Sequence, residues 1–334
     1  MTAPVDRIAV VLDAVELLSS EVALLSSGAG MALSPAAVFD VTGPGAVTCV
    51  QGLLTNDIEA PGDAACIYAA VLTPKGMIRT DLWAWRFAGG IRLIAPANAR
   101  AELLDILTRT LPPRLARFSD HGEAARVYWL VGPRAADAAA RAGLPVPEPG
   151  RVAVLGEGAG TVLMARPAAG PAPFALGIST DQDGAHLLEA LERAGASRVS
   201  PAVLELARIA AGWPRLGAEI DDKTLPQEVR FDEIGGVSYS KGCYTGQETV
   251  ARLHFRGHAN RGVVGLTWES APNPDRSDVV QGAQPLGAVT SAAWLDHRRQ
   301  WIGLAKVRRE LDRTRPFDAA GAPATVTELP FTLS

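Results

Sequence analysis

Residues 226–262, PQEVRFDEIGGVSYSKGCYTGQETVARLHFRGHANRG, decide how the rest of the chain is read. Val237 and Tyr239 alternate with Ser238 and Ser240, the period of a half-buried strand. Lys241-Gly242 turns the chain. Thr245 stands three residues before Glu248, the spacing of a T-x-x-E capping box, so a helix is predicted from about Gly246 to Leu253. Cys243 then lies just before a helix N-terminus, whose partial positive charge stabilises a thiolate, with Lys241 as a nearby second cation. Gly242 and Gly246 would let the backbone approach a ligand closely. His254 and His258 have the spacing of two ligands on one helix face, but Gly257 between them ends the helix, so no metal site is expected.

The charges of this region are polarised. Across residues 241–261, Lys241, Arg252, Arg256 and Arg261 stand against Glu248, a balance of +3. Across residues 215–233, three cations stand against Glu219, Asp221, Asp222, Glu228, Asp232 and Glu233, a balance of −3. The pattern fits either a ligand with an acidic tail and an amine-bearing ring, or a solvated surface whose charges pair with one another.

The chain as a whole has 334 residues, 48% hydrophobic and 20% charged, enough to bury a sizeable core in about two domains. Its net charge of −4 argues against a dedicated nucleic-acid binder. Lysine is scarce: Lys75, Lys223, Lys241 and Lys306 leave 28 arginines among 32 basic residues. Three scattered cysteines exclude a disulfide scaffold and suit a reducing cytosol. Cys49 and Cys66 read as small buried hydrophobes. Residues 8–25 are apolar but interrupted by Asp13, Glu16 and Glu21, which excludes a membrane span and fits an amphipathic packing helix. Ser26 to Gly30 reads as a linker, and a compact body is expected to begin near Met31.

Two sentences of the sequence resemble each other. Strand-like Ala36 to Val41 runs into Gly43-Pro44 and a helical stretch from Ala46. Strand-like Val127 to Val131 runs into Gly132-Pro133 and a helix from Arg134. An internal duplication of mixed α+β units follows. Between the two lie strand-like runs at Ile67 to Leu72, Ile78 to Arg86 and Ile91 to Ile94, then a helix over Ala99 to Leu111 stopped by Pro112-Pro113. The glycines of residues 156–160 read as a hairpin turn rather than a nucleotide loop, because no helix follows them. Helices fit Ala185 to Ala194 and Pro201 to Ala211. From Gly262 onward short strands recur between turn residues, the texture of a small antiparallel barrel or sandwich.

Lys241-Gly-Cys-Tyr-Thr-Gly-Gln-Glu248 closely resembles the K-G-C-Y-x-G-Q-E motif of the YgfZ-type folate-binding proteins, relatives of the glycine-cleavage T-protein aminomethyltransferase. Val41 to Ala46, Gln51 to Asp57, Leu72-Thr-Pro-Lys-Gly76, Ala207 to Pro214 and Pro226-Gln-Glu228 resemble further stretches of that family. The resemblance implies an α+β, T-protein-like folate-binding fold of ferredoxin-like subdomains with a C-terminal antiparallel β-barrel. It divides the chain into an extension at 1–30, a folate-binding body at 31–257 and a barrel at 258–334. It implies a cytoplasmic protein that binds tetrahydrofolate or a derivative. The expected role is that of an accessory factor in assembling or repairing iron–sulfur clusters in client proteins, with no nucleic acid and no membrane as partner. Cys243 and Lys241 carry over as the working pair. Asn56, Asp57, Asp81, Glu228, Tyr244, Gln247, Glu248 and Arg252 carry over as cofactor-binding candidates. An open channel lined by Asp81, Glu228 and Arg252 and leading to Cys243 would favour ligand binding over a packed interior. Folate-dependent aminomethyl transfer is the alternative, and a module that has lost its cofactor is a third reading. Against transfer, Ala210-Ala211-Gly212 replaces a common Glu-Ala-Gly, and Thr80 replaces one of a pair of aspartates.

Overall fold

The computed structural model describes residues 9–10, 19–122, 124–156, 161–172, 175–180, 184–295 and 298–332. Three sheets organise these residues. The first orders its strands Cys66–Leu72, Ile78–Phe87, Gly90–Pro96, Ala36–Thr42 and Arg117–Asp120, each antiparallel to its neighbours. Cys66–Leu72 is buried on both faces, which explains its unbroken apolar run. The second sheet orders Ser197–Arg198, Gly30–Leu33, Arg126–Val131, Ala175–Thr180, Val162–Arg166 and Arg151–Leu155. The third is a closed barrel of six antiparallel strands: Gln284–Leu295, Asp278–Gln281, Phe317–Ala319, Ala322–Thr327, Arg261–Trp268 and Gln300–Arg308, the last pairing back to the first. The chain therefore has the α+β architecture expected, with an antiparallel C-terminal barrel.

The duplicated sentence is a duplicated structural unit. Ala36–Thr42 leads through Gly43 to the helix Ala46–Gln51, and Arg126–Val131 leads through Gly132 to the helix Ala135–Arg141. Both glycines have left-handed backbone, with φ of 117° and 104°. A side chain at either would also strike a carbonyl, Leu115 O at 2.7 Å or Leu24 O at 2.4 Å. The glycine cluster at 156–160 connects Arg151–Leu155 to Val162–Arg166, which pair antiparallel from Leu155↔Val162 as a hairpin requires; residues 157–160 lie outside the described ones.

Two expectations near the N-terminus change. The helix Ser19–Ser27 buries Leu25, and Gly28 to Gly30 is not a linker: Ala29 is buried and Gly30 opens a strand. Most of residues 8–18 lies outside the described residues, although Ala9–Val10 pairs in parallel with Ser291 and Ala292 of the barrel. No helix among the described residues is long and apolar enough to cross a membrane.

One core joins all three sheets. Trp85 of the first sheet packs where a side chain on Gly177 of the second would come within 2.6 Å of its ring. The helix Pro201–Ala211 carries Val203, Leu206, Ala207, Ile209 and Ala210 into the same cluster, which also takes Ala293, Ile302 and Leu304 from the barrel. Its start follows from sequence: Ser200 caps it by accepting from Ala202 N–H at 3.3 Å, Pro201 opens it, and Gly212 ends it in left-handed backbone.

Candidate functional site

A cavity of about 460 Å³ lies between the two open sheets and the helix Pro201–Ala211. Strand alternation builds one wall. Asp81 and Trp83 are two residues apart on Ile78–Phe87 and share a face, while Tyr68 on the neighbouring strand is the register partner of Trp83. Trp129 of the second sheet and Trp213 beyond the helix complete an aromatic lining. Trp83 and Trp213 stack at 5.7 Å and 14° between planes, and Tyr68 lies 4.8 Å from Trp213.

Asp81 is the buried acid of this wall. Tyr68 Oη donates to its Oδ2 at 2.8 Å, and its Oδ1 has no partner among the described residues. Burial pushes its carboxyl up to about 6, against the pull of the Tyr68 hydrogen bond and the charge of Arg208. A buried carboxylate oxygen without a donor is costly, so a donor supplied there would be favourable.

The opposite wall is charged. Arg208, 6% exposed, donates to Glu205 Oε2 at 2.8 Å, Glu219 Oε2 at 2.9 Å, Trp213 O at 3.1 Å and Ser291 Oγ at 2.6 Å. Glu219, fully buried, also accepts from Ser291 Oγ and Thr290 Oγ1, each at 2.7 Å. The network ties the helix to the barrel strand Gln284–Leu295 and fixes Arg208 in place. Arg215 lies on the cavity with Nη2 3.4 Å from Glu205, and its buried Nε has no acceptor among the described residues. Burial would raise Glu205, but the hydrogen bond and charge of Arg208 outweigh it and hold the carboxylate low.

The motif 241–248 forms a second centre. Cys243 is exposed on the turn that leads into the helix Gln247–Arg256. Lys241 Nζ donates to three carbonyls, Gln51 O at 2.6 Å, Leu54 O at 2.7 Å and Asn56 O at 2.9 Å, and lies 5.1 Å from the Tyr244 ring centroid. Burial lowers its ammonium to about 8, against the opposing charges of Asp57 and Glu59. With three acceptors held, Lys241 clips the cysteine turn to the 51–57 loop.

Other local expectations are corrected. No strand precedes the turn: residues 236–240 are irregular, with Ser238 N–H donating to Thr55 O at 3.0 Å. No capping box forms, because Gly246 occupies the cap in left-handed backbone and Gln247 Oε1 instead accepts from Tyr244 N–H at 3.1 Å. Gly246 does allow a close approach, but to protein: a side chain there would meet Thr73 O at 2.5 Å, which seats the Thr73–Gly76 hairpin on the motif.

The remaining candidates divide between the two centres. Asn56 spends its amide on Tyr68 O at 2.9 Å and Gly235 O at 2.7 Å, and Asp57 Oδ1 accepts from Gln51, Glu59 and Ala60, each at 2.9 Å. Both fold the 51–60 loop. Glu228 accepts from Leu225 N–H at 3.1 Å and caps a single 3₁₀ turn. Glu248 and Arg252 are exposed on the helix. Of the candidates only Asp81 lines the cavity. Among the described residues, Glu228, Arg252 and Cys243 are not part of this cavity's lining; a cap holds Glu228, and Arg252 and Cys243 face solvent. The acidic stretch is largely paired within the chain, with buried Glu219 on Arg208 and exposed Asp221 and Glu233 on Lys306 and Arg230. His254 stacks on Tyr239 at 3.6 Å, and no group of three metal-ligating side chains occurs among the described residues.

Tyr68, Trp83, Trp129, Trp213, Glu205, Arg208 and Arg215 escaped the sequence reading. One signal was present: Asp81 and Trp83 alternate on one strand face.

A model of the GCVT N-terminal domain matches residues 14–143. The tRNA-modifying protein YgfZ of Pectobacterium carotovorum subsp. carotovorum is 28% identical over 307 residues, which cover 89% of this chain and 90% of that protein. The tRNA-modifying protein YgfZ of Escherichia coli O157:H7 is 29% identical over 248 residues, 74% of each chain. The solved structure of glycine cleavage system aminomethyltransferase T from Bartonella henselae superposes with a TM-score of 0.79 over 94% of this chain and 89% of its own, at 21% identity. The chain is similar to the YgfZ proteins over most of its length, matches the GCVT N-terminal domain over residues 14–143, and has the fold of the glycine cleavage T-protein.

Proposed function

We propose that the chain is a tetrahydrofolate-binding accessory factor for iron–sulfur proteins, with the folate ring in the aromatic cavity and Cys243 meeting a client at the surface. The observation that carries the folate half is the unpartnered Asp81 Oδ1 in an aromatic cavity. An amino-substituted pyrimidine ring presents adjacent N–H donors that suit one carboxylate, and its flat faces suit Trp83 and Trp213. Asp81 would hold the ring edge, and the Arg208–Glu205–Arg215 wall would face the rest of the molecule. Bound tetrahydrofolate would supply a one-carbon carrier. On this reading residues 31–257 form the folate-binding body, 258–334 the barrel that braces it, and 1–30 an extension, in a cytoplasmic protein.

The client half rests on the family resemblance of the 241–248 motif and on the exposure of Cys243. The relatives are called tRNA-modifying proteins; a client that itself modifies tRNA would unite that name with the iron–sulfur role. Rescue of iron–sulfur enzyme activity in cells lacking the protein tests it. Cys243→Ala should abolish rescue, and undiminished rescue would remove the thiol from the account. Aminomethyl transfer stands as the second reading, favoured by one observation: a carboxyl near 6 inside the cavity can move a proton near neutral pH. Purified protein that turns over an aminomethyl donor with tetrahydrofolate would make it the first.

A further inference from the structure

The helix that begins beside Cys243 ends in a surface unlike the cavity. Phe255, in its last turn, is 68% exposed. Its ring stands edge-on to the stacked Tyr239 and His254, at 6.0 and 4.8 Å. That stack is fixed from below, since Tyr239 donates to Asp232 and accepts from Gln227 Nε2 at 3.1 Å. Arg256, His258 and Arg261 follow, all exposed. Strand register sets Arg261 directly opposite Arg308, and the next residue, Arg309, donates its N–H to Asn260 O at 3.1 Å. Like charges directly across a ladder are destabilising, so nothing in the fold itself calls for this pair.

Arginine is abundant throughout the chain, and many of the others are neutralised: Arg79 meets Glu102, Arg100 meets Asp120, Arg198 meets Glu192 and Arg276 meets Asp278. Among the described residues none of Arg256, Arg261, Arg308 and Arg309 meets a carboxylate, and the nearby acids Glu248 and Glu310 are exposed without ion pairs. A biased genome explains how many arginines there are, not why these go unpaired together.

We propose that this surface binds a single-stranded nucleic acid, with Phe255 as the platform for an unstacked base and Arg256, Arg261, Arg308 and Arg309 on its phosphates. Guanidinium groups suit phosphate oxygens, and an exposed ring next to Arg256 suits a base free to stack. A protein partner fits less well. A stable protein interface needs an apolar core, whereas the other exposed large apolar side chains, Leu33, Leu104, Leu115, Val154 and Leu155, sit on other elements. A duplex offers no base to stack. The net charge of −4 averages over the chain and hides this local surplus.

Fluorescence anisotropy of the full chain with a labelled short oligouridine, and with its DNA counterpart, tests the proposal between about 50 and 200 mM salt. Binding should weaken with salt, in either sugar series or in RNA alone. Replacing Arg256, Arg261 and Arg308 together with alanine should lower the slope of log affinity against log salt by roughly 2, at about 0.7 per phosphate contact. Phe255→Ala should weaken binding roughly ten-fold, and Phe255→Trp should retain it. All these positions are exposed, and unchanged circular dichroism and Cys243 titration would confirm intact folding. No binding at the lowest salt, or binding unaffected by the triple replacement, overturns the proposal. Poly-glutamate that binds with the same dependence on Phe255 overturns it in favour of an acidic protein partner.

Discussion

Replacing Asp81 with asparagine separates what the cavity costs the fold from what it gives a ligand. The buried carboxyl is carried from 3.8 to about 6. The folded state thus binds a proton more tightly than the unfolded chain, and stability falls as pH rises through that window. The sign follows from linkage: below about pH 4 both states are protonated, and above about pH 6 the folded state holds an ionised group it solvates poorly. The displacement corresponds to about 3 kcal/mol of lost stability at neutral pH. Asparagine keeps the shape and an oxygen to accept from Tyr68 Oη, but carries no charge. Asp81→Asn should therefore be more stable than the wild type near pH 7, by up to about 3 kcal/mol, and equal to it near pH 4. Urea unfolding across that range measures the difference, in which other titrating groups cancel. Saturating tetrahydrofolate should reverse the order at pH 7, because only the wild type presents a carboxylate to the ligand. A difference that stays flat between about pH 4 and pH 7 would refute the reasoning.

Other substitutions test the framework around the cavity. Lys241→Met strips the ammonium from three carbonyls and should cost roughly 2 kcal/mol in unfolding experiments while changing the alkylation rate of Cys243; a change in neither would show that the clip is idle. Arg208→Met leaves Glu219 buried without its guanidinium and should cost roughly 3–5 kcal/mol, read from the denaturation midpoint. Gly246→Ala should lose about 1–2 kcal/mol from its left-handed backbone alone, and more from the approach to Thr73 O; an unchanged midpoint would mean that the hairpin does not rest on the motif.

Much of the fold was legible because its signals are local. Gly-Pro after each strand, the alternation in Ile78–Phe87, the serine–proline start of Pro201–Ala211 and the turn-punctuated C-terminal third all act within a few residues. The site was less legible because it is assembled from distant segments. Lys241 and Cys243 are two residues apart, and local electrostatics made them partners. Nothing in that spacing shows that Lys241 reaches back to Gln51, Leu54 and Asn56. Thr245 and Glu248 had the spacing of a capping box, yet the hairpin packed on Gly246 forces a left-handed cap that this box does not use. Trp213 and Arg208 looked like ordinary members of a helix and its exit. Only the meeting of both open sheets with the barrel makes them cavity walls.

Calorimetric titration of the full chain with tetrahydrofolate, with tryptophan emission followed in parallel, tests the central claim most directly. The account predicts saturable micromolar binding at one site, quenching of tryptophan emission, and loss of both in Asp81→Asn with Cys243→Ala unaffected. No heat and no quenching at millimolar tetrahydrofolate, from a protein whose unfolding shows it to be intact, would contradict it.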